Sequence, residues 1–443
     1  MSGDFVERLD AVKLNSFHRR LLIASGLGWM FDAMDVILLS YVVAPIQRDL
    51  ALDALRTGLV PSATFAGMFV GAAVSGRLAD RYGRLPVFQW TLVLFAVGSL
   101  LSAISPTFET LLAARIVAGA GLGGELPVAV TLVSELSPRA LRGRMIVLLE
   151  SFWAYGTIAA GLVGVLVVPQ FGWRAAFLIG ALPALYAVYL RRALPESPRY
   201  LAAKGRTVEA DAIVRRVERE RGGPLISIAR VPRPSSPVIP AKIAQLFSAP
   251  YARRTIMLWT LWFGVVLTYY GIFIYLPTFL AARGLSEVRS NEFFFLSTLA
   301  QIPGYFSAAW LVERWGRKPT LVTYLLGTAA AAIMFGNAQT GTDAFVYAAL
   351  LSFFNLGAWG VMYTYSPELY PTSIRATGAG AAAAFGRLGA IAGPAAAPIA
   401  AAAYGQPTVF AIFTAILVVT AVVVFGLAEE TRGRSLEEIA PAA

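Results

Sequence analysis

The pentapeptide Asp80-Arg81-Tyr82-Gly83-Arg84 returns in the second half of the chain as Glu313-Arg314-Trp315-Gly316-Arg317. The offset that carries position 80 onto position 313 also carries Glu135 onto Glu368. Long apolar runs separate these anchors, so each half reads as one membrane bundle and the chain as an internal duplication. Two further stretches share this repeat offset: Leu141-Arg142-Gly143 with Ile374-Arg375-Ala376, and Glu196 to Arg199 with Glu429 to Arg432.

The apolar runs are long enough to cross a bilayer as helices. Residues 408–428 carry no charge, and about 20 apolar residues span the hydrocarbon core. The sequence therefore predicts an all-α membrane protein with twelve transmembrane helices in two six-helix bundles, over residues 1–192 and 254–443. The predicted spans lie near 21–46, 58–80, 86–105, 109–134, 142–168, 173–192, 254–280, 291–312, 318–336, 343–367, 375–401 and 407–428.

The positive charges predict the topology. Most of the 37 Lys and Arg residues fall in the termini and in the loops after even-numbered spans. By the positive-inside rule both termini are expected in the cytoplasm, and a cell inner membrane is the expected location. The net charge of +11 then reflects topology. Nucleic-acid binding, the competing use of a basic balance, would need a contiguous groove instead of short scattered loops.

The sequence lacks the residues that several classes of function require. The chain has no cysteine and a single histidine, His18, so we expect no metal site, no cofactor and no thiol chemistry. No phosphate-binding glycine loop or nucleophile motif occurs outside the apolar spans, so we expect no enzyme activity. Residues 193–253 are predicted to be a cytoplasmic connector, with a short exposed helix from Thr207 to Arg221 and a Pro-rich linker through Pro240. We expect no removable signal peptide in residues 1–20.

The loop Gly76 to Arg84 and its second copy resemble the signature loop of the major facilitator superfamily. Arg115 to Gly119, Pro195 to Arg199, and Glu430 to Gly433 with Leu436 to Ile439 are similar to sugar-porter signatures. Arginines beside acids at helix ends can lock one face of a bundle or simply fix its orientation. The residues that could form such gates are Asp80, Arg81, Arg84, Glu135, Glu196, Glu313, Arg314, Arg317, Glu368 and Arg375.

Two further motifs narrow the resemblance. Phe31-Asp32-Ala33-Met34-Asp35 and Gly123-Gly124-Glu125-Leu126-Pro127 are most similar to bacterial niacin and aromatic-acid carriers, relatives of the synaptic vesicle glycoprotein 2 family. Residues 259–264 hold no glutamine pair, whereas sugar porters carry amide-rich residues there. This departure counts against a hexose as the substrate.

Charged groups inside the spans should carry the mechanism, because burying an ion in a bilayer is costly. A helix rises about 1.5 Å per residue, which places Asp35 and Arg115 at the same depth, so we predict that they pair. The resemblance to proton-coupled sugar porters implies a role in coupling; a permanent packing ion pair is the alternative. Asp32 lies three residues before Asp35, so the two carboxylates should resist ionising together. Glu125 is the next candidate for proton coupling, and Glu150 is a gate or a packing partner.

Arg387 is the candidate for binding a substrate anion. It lies near the bilayer midplane, and its counterpart in the first half is the uncharged Ala154. A guanidinium grips a carboxylate with two parallel hydrogen bonds; pairing with an acid or with helix carbonyls is the alternative. Gln301 and Asn355 offer hydrogen bonds at similar depth. The candidate aromatic walls, of which only some should line a cavity, are Trp29, Phe31, Trp153, Tyr155, Trp262, Tyr269, Tyr270, Trp359 and Tyr363.

Together these features predict a proton-coupled secondary transporter that imports a small aromatic monocarboxylate, nicotinate first, and works as a monomer. Its expected partners are the anionic substrate, protons and the lipid bilayer. Three alternatives remain open: a proton-coupled sugar or polyol symporter, a drug-efflux antiporter, and a non-transporting membrane receptor.

Overall fold

The computed structural model describes residues 2–138, 141–220, 243–249, 251–371 and 374–432. Within these ranges the regular elements are nineteen α-helices and one 3₁₀ helix, Ile243–Phe247. In the first half the helices are α1 Ser2–Asp10, α2 Ser16–Asp49, α3 Ala54–Tyr82, α4 Arg84–Ala103, α5 Phe108–Leu136, α6 Arg142–Glu150, α7 Phe152–Leu166, α8 Val168–Ile179, α9 Pro183–Ala193, α10 Pro198–Ala203 and α11 Thr207–Arg219. In the second half they are α12 Ala252–Phe273, α13 Leu276–Ala281, α14 Glu287–Leu299, α15 Gln301–Trp315, α16 Arg317–Gly336, α17 Gly341–Glu368, α18 Arg375–Tyr404 and α19 Gln406–Leu427.

The helices account for twelve membrane crossings. Eight crossings are single helices, and four consist of two consecutive helices: α6 with α7, α8 with α9, α12 with α13, and α14 with α15. Ten helical segments of the described chain are long and apolar enough to span a bilayer, from Ser16–Asp49 to Gln406–Leu427. The predicted all-α membrane fold with twelve spans is therefore confirmed.

Local backbone features repeat at the offset seen in the sequence. Thr107 accepts a hydrogen bond from the backbone N–H of Thr110 and so caps α5, and its counterpart Thr340 caps α17 in the same way. Gly83 and Gly316 both have a positive φ, 109° and 102°, which lets the chain turn sharply between two helices. The duplication therefore extends to caps and turns.

Glycines allow the helices to approach closely. A Cβ atom added to Gly119 of α5 would lie 2.0 Å from the carbonyl oxygen of Thr64 in α3. In the second half, a Cβ on Gly304 of α15 would lie 2.2 Å from the carbonyl oxygen of Phe353 in α17. Association in a membrane depends on such backbone contact, since lipid supplies no hydrophobic drive between helices.

The described residues form two compact units. The first takes those within 1–39 and 63–234, and the second those within 40–62 and 235–443. Residues 40–62 join the second unit by direct contact: the Ser62 hydroxyl donates to the Ile391 carbonyl at 2.8 Å, and the Tyr275 hydroxyl lies 3.4 Å from the Thr57 carbonyl. The domain boundaries drawn from the sequence at 192 and 253 stay a prediction.

The N-terminal helix packs on the predicted connector. Arg8 of α1 bonds to Asp211 at 2.6 Å and to Glu218 at 2.8 Å, both on α11, and the Asn15 amide donates to the Val217 carbonyl at 2.8 Å. The predicted exposed helix is thus α11, with one face covered by α1. We call α1, α10 and α11 the terminal clasp. The predicted Pro-rich linker through Pro240 and the signature residues from Gly433 to Ile439 lie outside the described residues.

Candidate functional site

The predicted contact between Asp35 and Arg115 is present in the first unit. The Arg115 Nη1 donates to Asp35 Oδ1 at 3.2 Å, and Nη2 donates to Oδ2. Neither side chain is exposed. The Nε of Arg115 donates to Thr64 at 3.0 Å, and the Ser99 hydroxyl lies 3.4 Å from Asp35. The pair is a bidentate ion pair with neutral donors and acceptors around it; its role in coupling stays a prediction.

Asp32 faces a different partner from Asp35. Its side chain contacts the Glu125 carboxyl of α5, and both acids are completely buried. Neither oxygen of Glu125 receives a hydrogen bond from a donor among the described residues. The completely buried acids of the first unit therefore have different neighbours: Asp35 pairs with Arg115, and Asp32 lies beside Glu125.

The aromatic candidates of the first unit differ in burial and in the residues that they contact. Trp29 is buried and lies 5.2 Å from the ring of Trp153, and Glu150 lies near its indole; the role of Glu150 as a gate or a packing partner stays a prediction. The Phe31 ring lies 5.6 Å from that of Tyr186 on α9. Tyr155, in contrast, is 57 % exposed.

The second unit holds a continuous aromatic cluster between α12 and α17. The Trp262 ring lies 6.1 Å from Trp359, which lies 5.5 Å from Tyr269. Tyr269 in turn lies 5.0 Å from Tyr270. The Trp262 indole N–H donates to the Ser366 hydroxyl at 2.9 Å, which fixes the ring plane. The cluster offers flat apolar faces of the kind that stack on an aromatic ring.

Polar groups accompany this cluster. Arg387 of α18 is half-buried and lies within electrostatic range of the Tyr270 hydroxyl. Asn355 of α17 is 1 % exposed, and neither atom of its amide has a partner among the described residues. A buried amide without a partner is costly, so this group favours a ligand or water. Gln301 is buried at the first turn of α15. It forms no hydrogen bond with Asn355, whose amide has no partner among the described residues.

The first charge network consists of Asp80, Arg84, Glu135 and Glu196. Arg84 bonds to Glu135 at 3.2 Å and to Asp80 at 3.0 Å. Glu196 accepts the backbone N–H of Arg84 at 3.0 Å and of Leu85 at 3.2 Å, at the N-terminus of α4. Burial raises the pKa of Glu196 above its usual range, although backbone donors favour the charged form.

The second charge network repeats the first with one shift in register. Arg317 bonds to Glu368 at 2.9 Å and lies 3.6 Å from Glu313. The backbone N–H groups of Arg317 and Lys318 donate to Glu430, each at 3.0 Å. The structural counterpart of Glu196 is therefore Glu430. The alignment of Glu196 with Glu429 at the constant repeat offset is wrong by one position.

Within the described residues, three of the predicted gating arginines contact aromatic rings or backbone instead of the acids. The guanidinium of Arg81 lies 5.2 Å from the ring of Tyr82, and that of Arg314 lies 4.3 Å from the ring of Trp310. Arg375 donates to the Tyr370 carbonyl at 3.2 Å. These side chains fix local geometry, whereas Arg84 and Arg317 form the acid pairs.

Sequence reasoning missed several contributors. Thr64, Ser99 and Ser366 are neutral residues whose roles depend on which helix faces which, and no sequence pattern marks them. Gly28 is a fourth: a Cβ there would lie 2.3 Å from Glu125 Oε1, so its hydrogen leaves the space that the carboxyl fills.

Comparison with known proteins identifies the family. The model of the family "Sugar (and other) transporter" matches residues 30–443. This chain belongs to that family. It is a multi-pass membrane transporter of the major facilitator type. It is 48 % identical over 98 % of its length, and 99 % of the relative's, to the niacin transporter NiaP of Acinetobacter baylyi. It is 44 % identical to the putative niacin/nicotinamide transporter NiaP of Bacillus subtilis, over 95 % of this chain and 98 % of the relative.

More distant similarity extends to animal proteins and solved structures. The synaptic vesicle 2-related protein of Xenopus laevis is 29 % identical, over 98 % of this chain and 82 % of that protein. A crystal structure of a D-xylose-proton symporter superposes with a TM-score of 0.77 at 18 % identity, covering 95 % of this chain and all of that chain. At this identity the superposition shows a shared fold alone, which confirms the predicted major facilitator architecture.

Proposed function

We propose that this transporter imports nicotinate, and next hydroxybenzoate-like acids, together with protons across the cell inner membrane by alternating access. The observation that carries the proposal is the 48 % identity to a niacin transporter along almost the whole of both chains. The second unit supplies matching chemistry, because a cation, a buried amide and an aromatic cluster occur there in one set of helices. We propose that the protein works as a monomer with both termini in the cytoplasm.

Arg387 is the proposed carboxylate ligand. Its planar guanidinium matches the two oxygens of a carboxylate. The electrostatic contact with Tyr270 ties it to the aromatic cluster. A flat pyridine ring would stack on Trp262 or Trp359, while Asn355 or Gln301 addresses the ring nitrogen or a hydroxyl. A sugar would use none of the flat faces fully and would need more amide groups.

The proton gradient is the proposed energy source. The completely buried acids of the first unit, Asp35, Asp32 and Glu125, are the candidates for protonation, with Arg115 as the cation that responds. Protonation drives import only if the protonated and unprotonated transporter differ in their affinity for substrate. The two charge networks are the proposed gates, because breaking an acid–arginine contact frees the helix ends that it joins.

Radiolabelled nicotinate uptake into proteoliposomes tests the function. With an imposed inward proton gradient we expect accumulation that a protonophore collapses, and competition by unlabelled hydroxybenzoates but not by sugars. Counterflow without a gradient should persist. No uptake by folded and inserted protein would refute nicotinate as the substrate, and competition by xylose or polyols would favour the sugar symporter instead.

A further inference from the structure

One face of α17 carries buried polar groups. Ser352, Asn355 and Trp359 follow one another at spacings of three and four residues, so their side chains lie within about 60° around the helix axis. Ser352 and Asn355 are almost completely buried. Among the described residues, the Ser352 hydroxyl, both polar atoms of the Asn355 amide and the Trp359 indole N–H have no hydrogen-bond partner. This face of α17 therefore holds hydrogen-bonding capacity that the described chain does not use.

The polar face of α17 points toward α12 and the aromatic cluster. The Trp359 ring lies 6.1 Å from that of Trp262 and 5.5 Å from that of Tyr269. Two turns further along the same face, Ser366 accepts the Trp262 indole N–H at 2.9 Å. The groups without described partners consequently lie on the side of α17 that meets the aromatic rings, and not on a side that faces lipid.

The other side of α17 packs closely on α15 and α16. A Cβ on Gly357 of α17 would lie 2.0 Å from the Tyr324 ring of α16. The Phe353 carbonyl would lie 2.2 Å from a Cβ on Gly304 of α15, and the Phe353 ring stacks on that of Tyr324 with 6.0 Å between centroids. This packing fixes the rotation of α17 about its axis, so the polar face stays directed at α12.

Trp262 connects this face to the helix that carries Arg387. A Cβ on Gly386 of α18 would lie 3.1 Å from Cε3 of Trp262, and Arg387 is the next residue. A Cβ on Gly389 would lie 2.7 Å from the Phe263 carbonyl, so α18 packs directly on the backbone of α12. An aromatic substrate held at Trp262 is therefore within reach of polar groups from α17 and of residues from α18.

The groups without described partners are richer in donors than in acceptors. An indole N–H only donates, and a side-chain amide has two donor hydrogens and one acceptor oxygen. A buried polar group without a partner is costly, so a ligand that supplies the missing partner gains affinity over one that does not. The nitrogen of a pyridine ring is such an acceptor, whereas a C–H group at the same ring position accepts no hydrogen bond.

We propose that Ser352 and Asn355 select the substrate by a hydrogen-bond acceptor in its aromatic ring, with the Asn355 amide as the main donor. This inference rests on the proposed function and deepens it. Nicotinate should be preferred over benzoate, which has the same carboxylate and the same ring shape but C–H in place of nitrogen. Arg387 binds the carboxylate of either acid, so it supplies affinity, whereas the polar face of α17 supplies selectivity.

Isothermal titration calorimetry with nicotinate and benzoate tests the selectivity. The wild type should bind nicotinate about 10-fold more tightly, as for one additional hydrogen bond. Asn355→Leu should weaken nicotinate binding about 10-fold and leave benzoate binding unchanged, and Ser352→Ala should lower the affinity ratio about 3-fold. The control is Ser297→Ala in α14, whose buried hydroxyl already donates to the Phe294 carbonyl at 2.8 Å; it should keep the wild-type ratio. Equal weakening of both ligands in Asn355→Leu, or an unchanged ratio, would overturn the proposal.

Thermal unfolding without ligand separates this proposal from the proposed function. A buried amide whose partner is the ligand destabilises the ligand-free protein, so Asn355→Leu should melt at a higher temperature than the wild type. Ser297→Ala removes a hydrogen bond within the protein and should melt at a lower temperature. A lower melting temperature in Asn355→Leu would mean that the amide stabilises helix packing, which contradicts its assignment to a ligand. If neither acid binds the folded wild type, the nicotinate function fails, and the melting order of the variants still decides the role of Asn355.

Discussion

The two halves share a backbone plan but carry different chemistry in their interiors. At the repeat offset, Asp35 and Arg115 correspond to Thr268 and Ala348, and Asp32 corresponds to Val265. The second unit lacks these charges and carries Arg387 where the first has Ala154. The buried acids therefore lie in one copy, and the candidate anion-binding arginine lies beside the aromatic cluster of the other. A duplicated scaffold lets proton and substrate sites diverge on separate units.

Trp29 and Trp262 are the exception that sharpens this contrast. They occupy equivalent positions, and both are buried. Trp29 contacts an acid, Glu150, and packs on Trp153. Trp262 donates to the neutral Ser366 and packs in the aromatic cluster. The same residue type therefore lies near an acid in the first unit and bonds to a neutral hydroxyl in the second.

The first expected effect is a loss of substrate affinity in the second unit. Arg387→Ala removes the proposed carboxylate ligand, and we expect nicotinate binding to weaken roughly 100-fold, about 3 kcal/mol, as for the loss of one partner of a buried charged contact. Isothermal titration calorimetry with purified protein measures this. The control is Arg289→Ala, which removes an exposed arginine of α14. Unchanged affinity in Arg387→Ala would exclude it from the site.

The next effect is on stability in the first unit. Asp35→Asn leaves Arg115 buried without its acid, which costs about 3 to 5 kcal/mol. The equivalent change in the second unit, Thr268→Val, removes only a hydroxyl that donates to the Gly264 carbonyl at 2.7 Å, at about 1 kcal/mol. Unfolding monitored by tryptophan fluorescence compares the two. Equal losses of unfolding free energy would mean that the Asp35–Arg115 ion pair stabilises its unit no more than the Thr268 hydroxyl stabilises the other.

The two charge networks are expected to differ less in how much each stabilises the fold. Arg84→Ala and Arg317→Ala each remove the central arginine, but in the second network Thr431 also donates to Glu368, and Arg254 bonds to Glu429 at 2.7 Å. The Thr431 hydroxyl keeps Glu368 partnered after the substitution. We expect Arg84→Ala to cost about 1 kcal/mol more than Arg317→Ala, since partly buried acids left alone are penalised. The same unfolding assay decides; a larger loss in Arg317→Ala would reverse the order.

What the sequence predicted and what it missed follow from helix geometry. The Asp35 contact with Arg115 could be predicted, because depth along a helix follows directly from residue number. The Asp32 contact with Glu125 was not, since residues three apart differ by about 60° around the axis, and packing decides which neighbour each faces. Likewise, nine aromatic residues fitted the depth criterion, but only packing shows that Tyr155 is exposed while Trp262 lies inside a cluster.

A change in repeat register explains why Glu429 was aligned with Glu196 in place of Glu430. The repeat offset holds through Glu135 and Glu368, and then one additional residue makes Glu430 the partner of the helix N-terminus in place of Glu429. A constant offset cannot reveal a single insertion where both neighbouring residues are glutamates. The structure resolves it because an acid at a helix N-terminus is identified by the N–H groups that it accepts.

The last comparison concerns acid, and it too separates the halves. His18 precedes the first predicted span and is buried beside Asn15, with 2.8 Å between Nδ1 and Oδ1, and burial lowers its pKa to about 4. The equivalent residue of the second half is Tyr251, which does not titrate in this range. A base whose pKa is lowered by folding binds more protons when unfolded. Stability should therefore fall as the pH drops from about 6.5 toward about 4, by up to about 1.4 kcal/mol per pH unit.

The ion pairs of the terminal clasp limit the pH range in which the titration of His18 is measured. Arg8 lowers the pKa of Asp211 and of Glu218, so those contacts weaken only as the pH falls below the usual carboxyl range. Between about pH 6.5 and about pH 4.5 the titration of His18 lowers stability as the pH falls, whereas Glu196, whose pKa is raised by burial, acts in the opposite direction. Unfolding midpoints measured across it should decline in the wild type and stay nearly level in His18→Gln. A decline of equal slope in both proteins would mean that a group other than His18 causes the acid sensitivity.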